Sequence, residues 1–158
     1  MVMMSRISVA IPTSEDDFRA MARVREAAAI KAYSKDKGPS ADEVKARYSE
    51  HGGIIDELKQ QNNHARLVRL DKTIVAMCAW SSTGKQTAIK YLYVHPDHQG
   101  RGYGTLLLDA VLDSIPSSQK VQLTTQEAAE FYKNWGFRET GKIISDGITD
   151  EVVMVRRR

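Results

Sequence analysis

The sequence of 158 residues has one cysteine, Cys78, so no disulfide can form within the chain. Cys78 lies in the apolar run 74–80, which predicts a buried strand and a small core side chain rather than a nucleophile. Long apolar runs are missing: the longest, 73–84, includes polar residues and falls short of the ~20 residues that span a bilayer. Residues 1–11 lack the features of a signal peptide, so we expect a cytoplasmic protein that binds no membrane.

A large excess of one charge is also missing, since 23 basic residues face 20 acidic ones. Part of the net charge of +3 comes from the three arginines 156–158, and no stripe of aromatic and basic residues accompanies them. We therefore expect a solvated end there rather than a nucleic-acid site. The length and the ordinary content of 42% hydrophobic and 27% charged residues predict one globular domain, 1–158, and we expect no metal ion.

Local patterns predict a strand and then helices in the first part of the chain. The strand 6–11 ends at Pro12, and 54–61 is compatible with a short helix. Gly52-Gly53 is expected to end the helix before it. Two patterns predict capping boxes at helix starts: Thr13-x-x-Asp16 and Ser40-x-x-Glu43.

The remainder alternates between strands and helices. Strands 67–70 and 73–80 are predicted to pair around Asp71-Lys72, and 81–87 is predicted to be a polar connection into the strand 88–94. A helix over 105–115 precedes a strand at Val121 and Leu123. Thr124-x-x-Glu127 is expected to cap the next helix, and Asp146-Gly147 predicts a hairpin between the last two strands.

The most informative segment is the glycine-rich loop between the strand 88–94 and the helix 105–115. Gly100, Gly102 and Gly104 allow several backbone N–H groups to face one side, where the next helix adds its unpaired N–H groups and positive dipole end. This combination predicts a site for a phosphate or pyrophosphate. The spacing fits neither the G-x-G-x-x-G dinucleotide fingerprint nor a Walker loop, which requires a lysine.

Two segments resemble landmarks of the GNAT superfamily of N-acyltransferases. Gln99, Gly102 and Gly104 fill the fixed places of its acetyl-CoA loop, Q/R-x-x-G-x-G/A. The segment 125–137 resembles the second landmark, N-x-x-A-x-x-h-Y-x-x-x-G-F, with matches at these residues: Ala128, Phe131, Tyr132, Gly136 and Phe137. Thr125 departs from it, standing where the family has an asparagine that binds the pantetheine arm. By motif the resemblance covers residues 88–137.

The resemblance implies a mixed α/β fold in which a mostly antiparallel sheet, flanked by helices, splays between strands 4 and 5. It also implies an N-acetyltransferase that uses acetyl-CoA as cosubstrate and transfers the acetyl group by direct attack of an amine in a ternary complex. The cofactor-binding residues that it implies are Leu92, Tyr93, Val94, Gln99, Gly100, Arg101, Gly102, Tyr103, Gly104, Thr105, Thr125 and Ala128.

Tyr132 is the candidate catalytic residue, because a phenol that is protonated at neutral pH can serve the departing thiolate. The alternative is a core role, since Tyr132 belongs to an apolar stripe with i, i+3, i+4, i+7 spacing: Ala128, Phe131, Tyr132 and Trp135. The fourth strand has no carboxylate, and no general base is assigned. Five residues are compatible with that role through water: Glu26, His51, His98, Asp146 and Glu151.

The acceptor stays open between a small-molecule amine and a peptide amine. In the family, the first two helices and the last hairpin shape the acceptor cleft, here about 25–48 and 144–151. A homodimer is one assembly that the sequence leaves open. A non-catalytic acyl-CoA-binding module is the alternative function, motivated by Thr125 and by the missing strand carboxylate.

Overall fold

The computed structural model describes residues 6–34, 38–49, 54–60, 64–126, 128–145 and 150–157. The strands are β1 (Ile7–Ala10), β2 (Ala65–Leu70), β3 (Thr73–Thr83), β4 (Gln86–Val94), β5 (Lys120–Thr125), β6 (Arg138–Ser145) and β7 (Asp150–Arg156). The helices are α1 (Glu15–Tyr33), α2 (Ala41–Tyr48), α3 (Ile54–Gln60), α4 (Tyr103–Ser114) and α5 (Ala129–Lys133), with a 3-10 turn at Pro96–His98. None of these helices combines the length and apolar character needed to cross a membrane.

The strands form one seven-stranded sheet in the order β1-β2-β3-β4-β5-β7-β6. All neighbours are antiparallel except β4 and β5, which run parallel and are connected through α4. Their pairing covers only Gln86, Thr87 and Ala88 on β4, opposite 120–122 on β5. Beyond Ala88 the two strands separate and leave a gap in the sheet. The predicted mixed α/β fold, with its splay between strands 4 and 5, is confirmed.

Helices cover both faces of the sheet, which explains the continuous apolar run of β3. Met77 and Ala79 pack in the core cluster formed with α1 and α3. Cys78 and Trp80, on the opposite face of the same strand, pack in the cluster formed with α4 and α5. A strand that is buried on both faces has no solvent side for polar residues to occupy. Cys78 is fully buried, as the sequence predicts.

The predicted polar connection over 81–87 is wrong, because most of it is strand. β3 continues to Thr83 and β4 already begins at Gln86, so that a two-residue turn at Gly84-Lys85 joins them. Polar residues are tolerated in these strand ends because they pair with one another. The hydroxyl oxygens of Ser82 and Thr87 lie 2.9 Å apart, and Thr87 is fully buried.

Of the two predicted capping boxes near the N-terminus, one is confirmed. Ser40 caps α2, its Oγ accepting a 3.1 Å hydrogen bond from the Glu43 N–H. The other is wrong by one residue: Ser14 caps α1 and accepts from the Asp17 N–H at 3.1 Å. Asp17 reaches back to accept from the Thr13 N–H at 3.0 Å. The α2 helix ends at Tyr48, while the glycines at 52–53 lie outside the described residues.

The expected cap at Thr124 is also wrong. Thr124 lies within β5, and its hydroxyl donates to the Glu151 carboxylate at 3.2 Å, while residue 127 lies outside the described residues. Thr125 is the hydroxyl residue that meets the helix start, accepting from the Ala128 N–H at 3.0 Å. The α5 helix is only five residues long, so Trp135 of the predicted stripe lies beyond its end.

The last two strands pair as the sequence predicts. β6 and β7 are antiparallel, and Ser145 lies opposite Asp150. The Asp146-Gly147 turn itself lies outside the described residues.

Candidate active site

The glycine-rich loop gives α4 an uncapped N-terminus. Gly100 and Gly102 have positive φ angles of 78° and 85°, a conformation that residues with a Cβ rarely adopt. Gly102 is the N-cap of α4, and no side chain hydrogen-bonds there. The N–H groups of the first turn are therefore left for a bound group, and the helix dipole favours an anion. Gly104 already belongs to the helix, which begins two residues earlier than the sequence predicts.

A cavity of about 490 Å³ lies beside this loop and is called the loop cavity below. Ten of the twelve predicted cofactor-binding residues line it: Leu92, Tyr93, Val94, Gln99, Gly100, Gly102, Tyr103, Gly104, Thr105 and Ala128. Arg101 is exposed and does not line it. Thr125 is buried and lines a different cavity. The structure thus brings two distant sequence segments, the loop and the start of α5, to one site.

The gap side of β4 presents backbone groups to the loop cavity. The His95 N–H donates to Val75 O at 2.8 Å on the β3 side. Because successive residues of a strand turn their backbone groups to opposite edges, those of Leu92 and Val94 face the gap. This edge is open to an extended ligand, which would bind it as an additional strand would.

Gln99 ties the loop to its surroundings. Its side-chain N–H donates to Val94 O at 3.1 Å, and its side-chain oxygen accepts from Lys31 Nζ at 2.9 Å. The amide therefore links the loop to β4 and to α1. His98, next in the chain, also lines the loop cavity, and its Nδ1 is buried without a hydrogen-bond partner among the described residues.

A second cavity of about 410 Å³, called the tyrosine cavity below, is lined by residues of both β4 and β5. Its lining includes Arg25, Tyr33, Arg47, Tyr48, Lys90, Tyr91, Thr124, Thr125, Tyr132 and Glu151. Four residues line both cavities: Ala32, Leu92, Tyr93 and Ala128. The two cavities therefore meet at the gap between β4 and β5.

Tyr132 lines the tyrosine cavity from the one-turn helix α5, one turn after Ala128. Its ring packs edge-on against Phe131 and Phe137, with centroids 5.1 and 5.8 Å away. Burial raises the pKa of its hydroxyl above the ordinary value, and the neighbouring Cys78, Tyr93 and Glu151 add to the rise. The side chain thus belongs to the core, as one sequence interpretation holds, and it also lines the tyrosine cavity; the raised pKa keeps its hydroxyl protonated.

The family model of the GNAT acetyltransferase domain matches residues 61–139, which is half of the chain. The chain belongs to the GNAT acetyltransferases. It is therefore an acyltransferase, and the matched region includes β2 to β5, the glycine-rich loop and Tyr132.

Several solved structures have the same fold as this chain over nearly its whole length. The PaiA N-acetyltransferase from Thermoplasma acidophilum, solved with coenzyme A, has a TM-score of 0.70 at 15% identity, with 97% of this chain and 99% of that chain covered. A GCN5-related N-acetyltransferase from Rhodopseudomonas palustris has a TM-score of 0.72 at 22% identity, covering 100% and 99%. The YncA protein from Salmonella typhimurium, solved with acetyl-CoA, has a TM-score of 0.70 at 15% identity, covering 96% and 93%.

The five candidate bases of this GNAT domain are now separated by position. Glu151 lies on the wall of the tyrosine cavity, close enough to raise the pKa of Tyr132. His98 lines the loop cavity instead, and Glu26 on α1 lines neither cavity. His51 and Asp146 lie outside the described residues. Among the described candidates, Glu151 alone is a carboxylate on a cavity wall.

Arg25 begins the expected acceptor stretch 25–48, but the sequence predicts no role for Arg25 or for Tyr91, and both line the tyrosine cavity. The Arg25 guanidinium lies between the rings of Tyr48 and Tyr91, with Cζ 4.8 Å from each centroid. The Tyr91 hydroxyl donates to Glu57 Oε2 at 2.7 Å. One signal was available in the sequence: Arg25 is a charged residue on the apolar stripe of α1, between the buried residues Met21 and Ala28.

Proposed function

We propose that this GNAT domain transfers an acetyl group from acetyl-CoA to the amine of a small molecule or peptide, by direct attack in a ternary complex. The observation that supports this most strongly is the meeting of the loop cavity and the tyrosine cavity at Leu92, Tyr93 and Ala128. A donor bound in one cavity and an acceptor bound in the other would have their reacting ends at one point. Two structures of similar fold contain coenzyme A or acetyl-CoA, which supports this donor.

The loop cavity fits the pyrophosphate of acetyl-CoA. No atom lies within 4 Å of the position that a Cβ would take at Gly100 or Gly102, so the backbone there is open to a bound group. The uncapped N–H groups of the first α4 turn would hold the phosphate oxygens. Backbone groups of Leu92 and Val94 would hold the pantetheine arm. When bound, acetyl-CoA supplies an activated acetyl thioester with a thiolate leaving group.

Tyr132 is the proposed acid. Its side chain lines the tyrosine cavity, and its hydroxyl remains protonated at neutral pH because burial raises its pKa. The hydroxyl would donate its proton to the sulfur as the carbon–sulfur bond breaks, which prevents a free thiolate from accumulating. The second proton, which the attacking nitrogen loses as the amide forms, would restore the hydroxyl. The ring contacts with Phe131 and Phe137 hold the side chain in place for this donation.

Glu151 is the proposed proton acceptor for the incoming amine. An amine with a pKa near 10 arrives as ammonium and must lose a proton before its nitrogen can attack. The Glu151 carboxylate lies on the wall of the tyrosine cavity, where the hydroxyl of Thr124 donates to it at 3.2 Å. This position supports proton removal from an acceptor bound in that cavity, directly or through one water.

The environment of Cys78 supports direct transfer to the amine rather than transfer through an acetylated cysteine. It is fully buried in β3, and burial raises the pKa of its thiol above the ordinary range. A neutral thiol without access to the cavities is a poor nucleophile, because the thiolate is the reacting form. We expect no acetyl group on Cys78 during turnover, and Cys78→Ala should retain activity.

Thiol release from acetyl-CoA, followed with a broad panel of amines and peptides, tests the proposal. Glu151→Gln should lower kcat/KM and shift the pH dependence, whereas Glu139→Gln, a change at the exposed strand β6, should not. Binding of CoA without turnover on any amine would instead favour the non-catalytic acyl-CoA-binding module. Chemically competent labelling of Cys78 would contradict direct attack.

A further inference from the structure

Arg25 places a positive charge on the wall of the tyrosine cavity. It projects from α1 and is only partly exposed, and its guanidinium is held between Tyr48 of α2 and Tyr91 of β4. Three separate elements therefore fix its position. A planar guanidinium stacked in this way keeps its orientation and loses little further conformational freedom when it binds a ligand.

The charge of Arg25 has no carboxylate partner within the described part of the chain. No ion pair to Arg25 forms there, and its Nε is buried without a hydrogen-bond acceptor. The nearby carboxylate of Glu57 is already engaged, accepting from Lys90 at 3.2 Å and from Tyr91 at 2.7 Å. Glu151, on the same cavity wall, accepts from Thr124. A partly buried cation without a counter-charge is costly unless a ligand supplies one.

We propose that Arg25 binds the carboxylate of the acceptor, so that the acceptor is a small primary amine that also carries a carboxylate, as a free amino acid does. This inference rests on the function proposed above and names its substrate class. Guanidinium and carboxylate match as two parallel N–H donors and two oxygens, which gives both affinity and orientation. The cavity of about 410 Å³ is of a size that suits a small molecule.

Tyr93 connects the proposed carboxylate site to the reacting end. Its side chain lines both cavities, and Arg25, Tyr33 and Glu151 are close enough to act on the pKa of its hydroxyl. Tyr93 and Glu151 are also, with Cys78, among the groups that raise the pKa of Tyr132. An acceptor that is anchored at Arg25 would therefore extend its amine toward Glu151 and the junction.

Matched pairs of acceptors test the proposal. Each pair consists of an amino acid and the amine that remains when its carboxylate is removed. Suitable pairs are L-tyrosine with tyramine, L-histidine with histamine, and L-lysine with cadaverine. With wild type, at least one amino acid should have a kcat/KM about 10- to 100-fold higher than that of its partner amine. This factor corresponds to the loss of a hydrogen bond between charged groups, and it should arise mainly from KM. Arg25→Gln should abolish that preference, and Arg25→Lys should restore only part of it. Arg23→Gln, an exposed change on the same helix, should keep it.

Calorimetry provides a second measurement. It gives the affinity of the same amino acids for wild type and for Arg25→Gln, both in the presence of CoA. Arg25-dependent binding without turnover would uphold the carboxylate site while the proposed reaction fails. Equal use of both members of every pair, or a preference that survives in Arg25→Gln, would overturn the carboxylate site while leaving an acetyltransferase. A preference for peptide amides that lack a free carboxylate would overturn it as well.

Discussion

The side-chain amide of Gln99 donates a 3.1 Å hydrogen bond to the backbone carbonyl of Val94, five residues earlier in the chain. This bond closes the loop between β4 and α4 onto the strand edge that the cosubstrate is proposed to bind. Lys31 Nζ completes the link by donating to Gln99 Oε1 at 2.9 Å, although Lys31 itself lines neither cavity. Gln99 therefore holds the loop in position as well as lining its cavity.

Gln99→Ala should weaken CoA binding by about 2- to 10-fold, because hydrogen bonds of this kind contribute ~0.5–1.5 kcal/mol each. Lys31→Met should produce a smaller loss in the same direction, since it removes only the outer bond. The loss in the double variant should be less than the sum of the two, because the variants share one interaction. CoA titration by calorimetry measures all three. Strict additivity would mean that Lys31 does not act through Gln99.

Gly102→Val should lower CoA affinity by at least tenfold and destabilise the fold by about 1–2 kcal/mol, the cost of a left-handed residue with a Cβ. The φ angle of Gly102 is 85°, and nothing lies within 4 Å of its Cβ position, so the cost comes from the backbone rather than from a clash. Gly84→Val is the matched control: Gly84 has a φ of 61° and equally open space, but lies in the β3–β4 turn. It should lose similar stability and keep CoA affinity.

Gly104 requires a different expectation from Gly102. It has no positive φ, and an added Cβ would lie 3.6 Å from Phe131 and Val94, an ordinary contact distance. Gly104→Ala should therefore fold and bind CoA nearly as wild type does, whereas a bulkier side chain would extend into the loop cavity. Loss of CoA binding in a folded Gly104→Ala protein would show that the ligand approaches the backbone more closely than the structure suggests.

The Asp17–Arg69 ion pair should make stability depend on pH. The two side chains are 3.0 Å apart, and Asp17 is only 7% exposed. Burial alone would raise the pKa of Asp17, but hydrogen bonds from Thr13 and Arg69 outweigh it and hold the pKa below its ordinary value. Because the pKa is lowered on folding, this stabilisation is present above the unfolded pKa of ~3.9 and is lost as the pH falls through the folded value.

Asp17→Asn should accordingly cost about 1–3 kcal/mol near pH 7, and the difference from wild type should shrink below pH ~4. Urea unfolding across this pH range provides the measurement. Asp16→Asn is the control, because Asp16 is an exposed acid in the same first turn of α1. If the stability difference between wild type and Asp17→Asn stays constant down to pH ~2, the charge of Asp17 does not contribute to stability.

The loop cavity was predictable from sequence because its features are local. Positive φ angles demand glycine at Gly100 and Gly102, and an uncapped helix start follows directly. For the tyrosine cavity, the family resemblance indicated only the stretches 25–48 and 144–151. Its contacts were not predictable, because Arg25, Tyr48 and Tyr91 come from three elements and meet only through packing. The same reason explains why the predicted polar connection over 81–87 is wrong. Pairing between β3 and β4 and the burial of Thr87 make most of it strand, although its local sequence is polar.

Tyr132→Phe should lower kcat by about 10²–10⁴-fold with little change in the KM for acetyl-CoA, because the lost interaction strengthens only as charge develops on sulfur. The variant retains the ring and its packing on Phe131 and Phe137, so the melting temperature should change little. Single-turnover kinetics separates this chemical step from product release. Trp135→Phe controls for effects of stability on the rate, because it removes the 2.7 Å hydrogen bond from Trp135 Nε1 to the Asp109 carboxylate and no group of the proposed mechanism. An undiminished single-turnover rate in folded Tyr132→Phe would rule the hydroxyl out as the acid.

The pH profile of kcat provides an independent test of the same residue. Burial raises the pKa of Tyr132 above the ordinary phenol value of ~10, so the acid form persists as the pH rises through the usual assay range. Wild type should therefore show an ascending limb as the amine and its base deprotonate, and no descending limb below pH ~10. If the acid were a group of ordinary pKa near 8, kcat would fall above that pH, and Tyr132→Phe would leave the descending limb in place.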